Sequence, residues 1–478
     1  MRKRLILVLA LALVAGLTIA AYAEVQNVKV SGDLSVIGVS RYKLALKDES
    51  APLTANGYGH SISAMLSTVR VKVEADLTDN VMATVRLINE RKWGAEGSAS
   101  SATNSDTNID IDLAYATMKE FLYSPLSLTI GRQELRFGNG LVIGDPDTNG
   151  ISAGHGTTSR VGFPDSLDDF SSRKAFDAMR ATLNYDPLIV DMVYSKISDP
   201  SVQLHDDADL YGVNASYAVS KDLNAEVYTW QRSRESGASA TANGINRKEK
   251  LNTSGAKATY TGIKNLILGA EGAFQYGEHL ANRSLYVDEG LNDNTRRKAT
   301  GYAIQAIANY VMPDKKLKPS VGGSYTFLSG EKYQSEKKSY RGWDPMYEDQ
   351  AGGTLFNKIL GYSNAQLFNV NGSVKPMDDV TMSLNYYYLR LVKAYPDVSD
   401  AGSKPTAVHM NGVTGDPTYD MAPHKSSLGQ EVDLAMIYNY TEDVQFGLSG
   451  GAFVPGNAFS KTNRDTAKQV IGSMKVTF

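Results

Sequence analysis

The feature that most restricts the fold of this chain is an alternation of apolar and polar side chains with a period of two residues. Between residues 61 and 77, one parity includes Val69, Val71 and Val73, and the other includes Arg70, Lys72 and Glu74. This period is that of a β-strand with one apolar and one polar environment on its two faces. A soluble sandwich and a membrane barrel would both produce it, so a single strand does not distinguish them.

The connections between such segments distinguish the two folds. The alternation predicts strands at about 34–46, 60–76, 81–93, 109–121, 126–137, 174–185, 188–197, 209–219, 223–234, 252–262, 265–277, 299–312, 316–330, 366–376, 379–393, 428–440, 443–454 and 468–478. Every second connection is tight, such as 77–80, 186–187 and 377–378, and most are built from Asp, Asn, Pro and Ser. The other connections are long and polar. This pattern predicts an all-β fold: a transmembrane antiparallel β-barrel of about 18 strands, with short periplasmic turns and long extracellular loops.

The N-terminus resembles an export signal. Arg2, Lys3 and Arg4 precede an uncharged, mostly apolar stretch, and Ala21-Tyr22-Ala23 has the small-x-small form of a cleavage site. We therefore expect residues 1–23 to be a signal peptide and residues 24–478 to form one barrel domain. The expected location is the bacterial outer membrane, and the expected surroundings are the lipid bilayer, lipopolysaccharide and the outer-membrane assembly machinery.

Composition excludes several functional classes. The chain has no Cys, so thiolate metal sites, haem attachment and a Cys nucleophile are excluded. Its 49 basic and 52 acidic residues balance, which argues against nucleic acid as a partner. The mean hydropathy of −0.28 argues against a helical membrane protein. No nucleotide-binding or zinc-protease signature is present, and we predict neither an enzyme nor a cofactor.

Several segments occur in the order found in a known family. They are residues 131–140, which begin Gly-Arg-Gln, residues 173–180, which contain Phe176-Asp177, residues 271–277, and the pairs 318–319 and 329–330. Together they resemble the alginate-export family of outer-membrane porins. The resemblance implies an 18-stranded barrel whose Gly-Arg-Gln strand runs into a long loop. Asn139 and Ala178 stand where that family often has Asp and usually has Gly.

Charged side chains on the polar parity are the candidates for lining the lumen. Alternation marks Arg70, Lys72, Arg86, Arg132, Arg173, Arg180 and Arg232, and the motif residues Gln133, Arg136 and Asp177 complete the predicted pore-lining set. A guanidinium stays charged and suits carboxylate or phosphate, so matching Arg132, Arg173 and Arg180 to the family implies an anion-tolerant constriction. Carboxylates such as Glu74, Asp76, Glu134, Asp177 and Glu271 could pair with these cations, which would favour small zwitterions or polar solutes over a polyanion.

The long loop at residues 137–173 is the best candidate for a segment that folds into the barrel. Within it, Asp145, Asp147 and Asn149 match the first half of an oxygen-ligand calcium loop. The twelfth position, which should carry a bidentate Glu, is Gly156. An ordinary surface loop and a plain Asp/Asn/Gly turn remain the alternatives.

The sequence thus predicts an outer-membrane channel for small hydrophilic solutes, including anions. Two alternatives remain open at this point. One is a barrel that acts as a scaffold for a periplasmic or secretion partner. The other is a dedicated exporter of an anionic polysaccharide.

Overall fold

The computed structural model describes residues 27–47, 61–94, 109–146, 165–198, 207–236, 247–280, 296–331, 339–350, 352–359, 361–395, 408–409 and 418–478. The predicted signal peptide lies outside these residues. In the described part of the chain, eighteen long antiparallel strands form one closed wall. The predicted fold class and strand number are therefore confirmed.

The first nine strands are β1 (Asn27–Tyr42), β2 (Ser61–Thr78), β3 (Val81–Lys92), β4 (Asp110–Met118), β5 (Leu126–Glu134), β6 (Ala175–Asn184), β7 (Leu188–Ser198), β8 (Ala208–Ser220) and β9 (Leu223–Ser236). The second nine are β10 (Arg247–Ile263), β11 (Leu266–Leu280), β12 (Tyr302–Val311), β13 (Ser320–Leu328), β14 (Ala365–Met377), β15 (Val380–Leu391), β16 (Ser427–Asn439), β17 (Val444–Pro455) and β18 (Ala467–Thr477).

Each strand pairs with its neighbours in sequence, and β1 closes the wall by pairing with β18. In that seam Asp33 lies opposite Thr477 and Tyr42 lies opposite Lys468. Because the sheet has no free edge among these strands, the backbone donors and acceptors of the wall are satisfied without water, as a membrane requires.

Short and long connections alternate as the sequence predicts. The chain turns in two residues at 79–80, 221–222, 264–265 and 378–379, while the opposite end carries the long connections. The first strand differs from its prediction, since it begins at Asn27 and ends at Tyr42. The chain reverses after Tyr42 because Lys43 and Leu46 take positive φ angles of 55° and 56°, which a strand does not accommodate.

Short elements supplement the wall. Arg296–Ala299 continues the pairing of β11 and lies parallel to Ser339–Tyr340, and Val408–His409 pairs with Thr418–Tyr419. A 3₁₀ turn spans Asp165–Phe170 and helix α1 spans Phe356–Ile359. No helix in the described part of the chain has the length and apolarity that a membrane-spanning helix needs.

The outer face of the wall is apolar. Side chains such as Val69, Val85, Ile130, Met179 and Val432 are exposed there. Exposed large apolar side chains in such numbers on one parity are what a lipid-facing wall requires. Their strand neighbours on the opposite parity therefore face the lumen.

The lumen contains a hydrophobic core at the end of the long loops. Wall residues such as Phe176, Trp230 and Leu251 are buried there against loop residues such as Phe137, Trp343 and Tyr347. Phe137 and Trp230 pack with ring centroids 4.8 Å apart, and Phe176 meets Tyr347 edge to face at 6.1 Å. The long connections thus fold into the barrel mouth and fill part of it.

Candidate functional site

The connection between β5 and β6, residues 135–174, is called here the first inner loop. Its start reaches the far wall of the lumen, where the amide of Gly138 donates to Glu226 Oε1 at 2.7 Å and the amide of Asn139 donates to Glu271 Oε2 at 2.7 Å. Asn139 Nδ2 also donates to Gln305 Oε1 at 2.9 Å. These contacts agree with the predicted inward folding of this loop.

The end of the first inner loop lies against the opposite wall. Asp169 pairs with the buried Arg41 of β1, and the amide of Ser172 donates to Glu90 Oε1 of β3 at 2.6 Å. Arg173 pairs with Glu90 at 3.1 Å and with Asp110 at 2.6 Å. The two described arms of the loop are therefore anchored on opposite sides of the lumen.

The connection between β13 and β14, residues 329–364, is the second inner loop, and it joins the first in mid-lumen. The carbonyl of Tyr347 accepts from the amides of Gly144 at 2.7 Å and Asp145 at 3.1 Å. In return, the amide of Tyr347 donates to Val142 at 3.0 Å and that of Asp349 donates to Gly140 at 2.8 Å. The two loops form one hydrogen-bonded unit across the barrel.

A buried ion network holds the second inner loop to the wall. Arg232 of β9, only 1% exposed, pairs with Glu249 of β10 at 2.7 Å and with the loop residue Asp344 at 2.6 Å. Burial opposes ionisation of Asp344, but Arg232 and His279 outweigh it and hold the pKa of that carboxyl well below its usual range. Arg232 therefore anchors a loop, and its side chain lies behind the loop rather than on an open lumen surface.

Charged side chains remain accessible where the two loops meet. Arg136 and Lys174, at the two ends of the first inner loop, both pair with Asp349 of the second, the lysine at 2.5 Å. Arg136 is 52% exposed and Lys174 is 40% exposed. Two cations share one carboxylate here, so this trio carries one net positive charge.

Beside this trio lies a buried carboxyl group. Glu348 is buried, and burial raises its pKa to about 8, assisted by the charges of Asp145 and Asp349. Its Oε2 accepts a hydrogen bond from the amide of Gln350 at 2.7 Å. Glu348 is therefore predominantly protonated at neutral pH.

The wall formed by β1–β3 carries a second set of accessible charges, which we call the open sector: Asp33, Arg70, Lys72, Glu74 and Arg86. Arg70 pairs with Asp33 at 2.9 Å and Lys72 with Glu74 at 3.0 Å. Arg86 pairs with Asp112 at 2.5 Å and also contacts Glu134. These residues lie on the parity opposite to Val69, Val85 and Leu87, which are exposed on the outer face.

Two predicted pore-lining residues have the strand parity of the outer face. Arg132 pairs with Asp177 at 2.8 Å, and both follow the parity of Ile130 and Met179, which are exposed on the outer wall. Gln133 has the inward parity and is buried, donating to the carbonyl of Ala178 at 3.1 Å. The register therefore does not support a pore-lining role for Arg132 or Asp177.

Arg180 completes the predicted set. It pairs with Asp191 at 2.8 Å, and its guanidinium lies 5.4 Å from the centre of the Phe137 ring. With this pair, every arginine and lysine of the predicted set contacts a carboxylate. The expectation of mixed, paired charge fits this geometry better than a row of unpaired cations.

The calcium prediction is only partly covered by the structure. Asp145 is buried and its amide donates to Tyr347, while Asp147 and Asn149 lie outside the described residues. Within the described ranges, no group of three His, Asp or Glu side chains is placed to hold a metal ion.

Sequence reasoning did not identify Lys174, Asp349 or Glu226 as site residues. Lys174 directly follows the predicted Arg173, so its place in the motif was a usable signal. Asp349 lies far away in sequence within a long polar loop, and only the docking of the two inner loops brings it to Arg136.

Comparison with known proteins agrees with this architecture. A family model described as "Alginate export" matches residues 40–473. No curated protein matches the sequence significantly.

Several solved structures share the fold. OccK3 (OpdO) of Pseudomonas aeruginosa superimposes with a TM-score of 0.53 at 9% identity, over 95% of this chain and 97% of that one. OccAB3 of Acinetobacter baumannii gives 0.53 at 10% identity, over 95% and 99%. OccK2 (OpdF) of P. aeruginosa, solved in complex with glucuronate, gives 0.52 at 10% identity, over 95% and 99%.

At these identities the solved structures show the fold, and the family model shows the relationship. The chain belongs to the alginate export family of outer-membrane β-barrels.

Proposed function

We propose that this protein is a passive outer-membrane channel for small hydrophilic solutes, with a weak preference for solutes that carry one carboxylate. The observation that carries the preference is the trio of Arg136, Lys174 and Asp349, in which two accessible cations share a single carboxylate. A solute carboxylate can pair with the positive charge that Asp349 leaves unbalanced, because ammonium and guanidinium groups donate several hydrogen bonds at once.

The paired charges limit how strong this preference is. Arg70, Lys72 and Arg86 each have a carboxylate neighbour. Adjacent opposite charges suit small polar or zwitterionic solutes, whereas a polyanion would need a series of cations without partners. This argues against the alternative of a dedicated polysaccharide exporter. No observation favours a scaffold role or a catalytic one.

The OccK2 complex supports the proposal by analogy of fold. That barrel was solved with glucuronate, a sugar acid with one carboxylate.

The test is reversal-potential measurement in planar bilayers under a salt gradient. Wild type should conduct, and Arg136→Ala should shift selectivity toward cations because it removes an accessible positive charge. Arg132→Ala is the matched control. Like Arg136, Arg132 has an Asp partner, but its side chain has the strand parity of the outer face, so its removal should not change selectivity.

Folded wild-type barrels that carry no current would refute the channel. A shift for Arg132→Ala without one for Arg136→Ala would refute the assignment of selectivity to the trio of Arg136, Lys174 and Asp349.

A further inference from the structure

The wall carries carboxylates that bind the backbone of the inner loops. Glu226 of β9 and Glu271 of β11 accept the consecutive amides of Gly138 and Asn139, each at 2.7 Å. Glu271 is buried, and its other oxygen accepts from the Tyr228 hydroxyl at 2.7 Å. A carboxylate with these donors fixes both the position and the orientation of the loop start.

The second inner loop is held by the same chemistry on the other side of the lumen. Glu431 of β16 accepts three consecutive amides: those of Thr354 at 2.6 Å, Leu355 at 2.7 Å and Phe356 at 2.8 Å. The Thr354 hydroxyl adds a bond to Asp433 at 2.7 Å. Successive backbone amides that converge in this way form a concave anion site, here occupied by a side chain of the wall.

Each contact requires a glycine. Gly138 has a φ of +60°, and a Cβ there would lie 2.4 Å from Glu271 Oε1. Gly353 has a φ of +117°, and a Cβ there would lie 2.5 Å from Glu431 Oε2. Positive φ and close approach are the two conditions under which glycine is needed, and both occur at both contacts.

This arrangement differs from that of the carboxylates in the open sector. Glu74 and Asp33 pair with cations of adjacent wall positions and touch neither inner loop in the described ranges. Glu271 and Glu431 each use both carboxyl oxygens as acceptors, so a wall glutamate fixes the loop more firmly than a glutamine, which has a single acceptor oxygen, would.

We propose that Glu226, Glu271 and Glu431 are positioning residues that latch the two inner loops to the wall and thereby set the bore of the channel. The effect on the bore rests on the proposed channel function. The attachment of the loops does not depend on that function, and it can be tested without measuring any current.

Loop attachment is measured by cysteine labelling, because the chain has no cysteine of its own. Val142→Cys in the first inner loop and Leu355→Cys in the second introduce thiols at positions that are 2% and 0% exposed. Folded barrels, identified by their heat-dependent migration in gels, are reacted with a membrane-impermeant maleimide.

We expect Glu271→Ala to accelerate labelling at position 142 by up to about tenfold, the factor that corresponds to the net loss of one hydrogen bond. Glu431→Ala should act mainly at position 355. Glu271→Gln and Glu431→Gln should fall between the alanine variants and wild type, since an acceptor remains. Glu74→Ala, the matched control, should leave both labelling rates unchanged.

If an alanine variant does not give a folded barrel, Gly353→Ala replaces it, because the added methyl group meets the Glu431 carboxylate while the charge stays. Unchanged labelling in the latch variants, or equal acceleration by Glu74→Ala, would overturn the proposal.

Single-channel recording then tests the bore. We expect larger and more variable conductance for Glu271→Ala and Glu431→Ala than for wild type. Faster labelling with unchanged conductance would overturn the link to the bore. Faster labelling in a barrel whose wild type carries no current would leave loop attachment standing and refute the channel function.

Discussion

The lumen wall has two contrasting regions. In the open sector on β1–β3, charged side chains pair with wall neighbours and stay partly accessible, as Lys72 does at 32% exposure. On β9–β11, which we call the packed sector, lumen-facing side chains such as Trp230, Arg232 and Leu251 are buried beneath the inner loops. The same barrel thus uses lumen charge in two ways: to line an aqueous path and to anchor loops. We therefore expect solutes to pass along the open sector.

The largest expected difference between the sectors is in stability. Arg232→Ala should lower the free energy of unfolding by about 3–5 kcal/mol, because it leaves Glu249 and Asp344 buried without their shared cation. Arg70→Ala in the open sector should cost no more than about 1 kcal/mol, since the pair with Asp33 is partly solvated. Urea unfolding in detergent micelles measures the unfolding free energy of both variants. Equal losses would show that the two sectors do not differ in their contribution to stability.

Packing gives a second energetic contrast. Gly212→Ala should cost about 1–3 kcal/mol, because a Cβ at Gly212 would lie 1.9 Å from the Trp230 ring. Gly269→Ala is the matched control on β11, because the closest atom to a Cβ there is Ile307 Cβ at 3.8 Å. The same unfolding experiment compares them. A tolerated alanine at 212 would mean that the packed sector can relax.

The junction of the inner loops should respond to pH through Glu348. Burial raises its folded pKa to about 8 from an ordinary value of about 4.5. As pH rises from about 4.5 to about 8, the unfolded chain releases this proton while the folded form retains it. Stability should therefore fall by up to about 1.4 kcal/mol per pH unit in that window and level off above it.

Glu348→Gln should remove this contribution and be the more stable form at pH 8 and above. Urea unfolding across the pH range measures it. Parallel pH profiles for wild type and Glu348→Gln would contradict the assignment.

The smallest expected effect concerns ion selectivity. Lys72→Ala should shift the permeability ratio toward cations by up to about fivefold, the factor for about 1 kcal/mol. Arg234→Gln in the packed sector also removes a positive charge, but its side chain is buried against Glu249 and selectivity should not change. Reversal potentials measured for the two variants test this difference. Equal shifts in the permeability ratio would show that ions pass along both sectors.

The wall could be predicted from the sequence because its physics is local. Alternation of apolar and polar side chains indicates which residues share a face, and tight turns indicate where the chain reverses. These two patterns together predict all eighteen strands of the wall. The errors lie where alternation continues beyond the strand. Leu44 and Leu46 extend the pattern of β1, but they are buried in the core of the barrel mouth after the chain has turned.

The site could be predicted only in part, because alternation separates the two faces of a strand but does not identify which face lines the lumen. Near the end of β5, Arg132, Gln133 and Glu134 are all polar, so charge does not identify the lumen face there. The structure sets the phase from Ile130 and Phe176. Contacts such as Asp349 with Arg136 depend on loop docking across the barrel, which no local pattern encodes.

The hydrophobic core inside the barrel mouth has a consequence for engineering. Shortening the inner loops to widen the pore would uncover Phe176, Trp230 and Leu251, which are now buried against those loops. The barrel would then have an apolar, poorly wetted lining. Such a lumen would tend to collapse or to bind apolar molecules. A wider version of this channel would need the inward side chains of β6, β9 and β10 redesigned together with the loops.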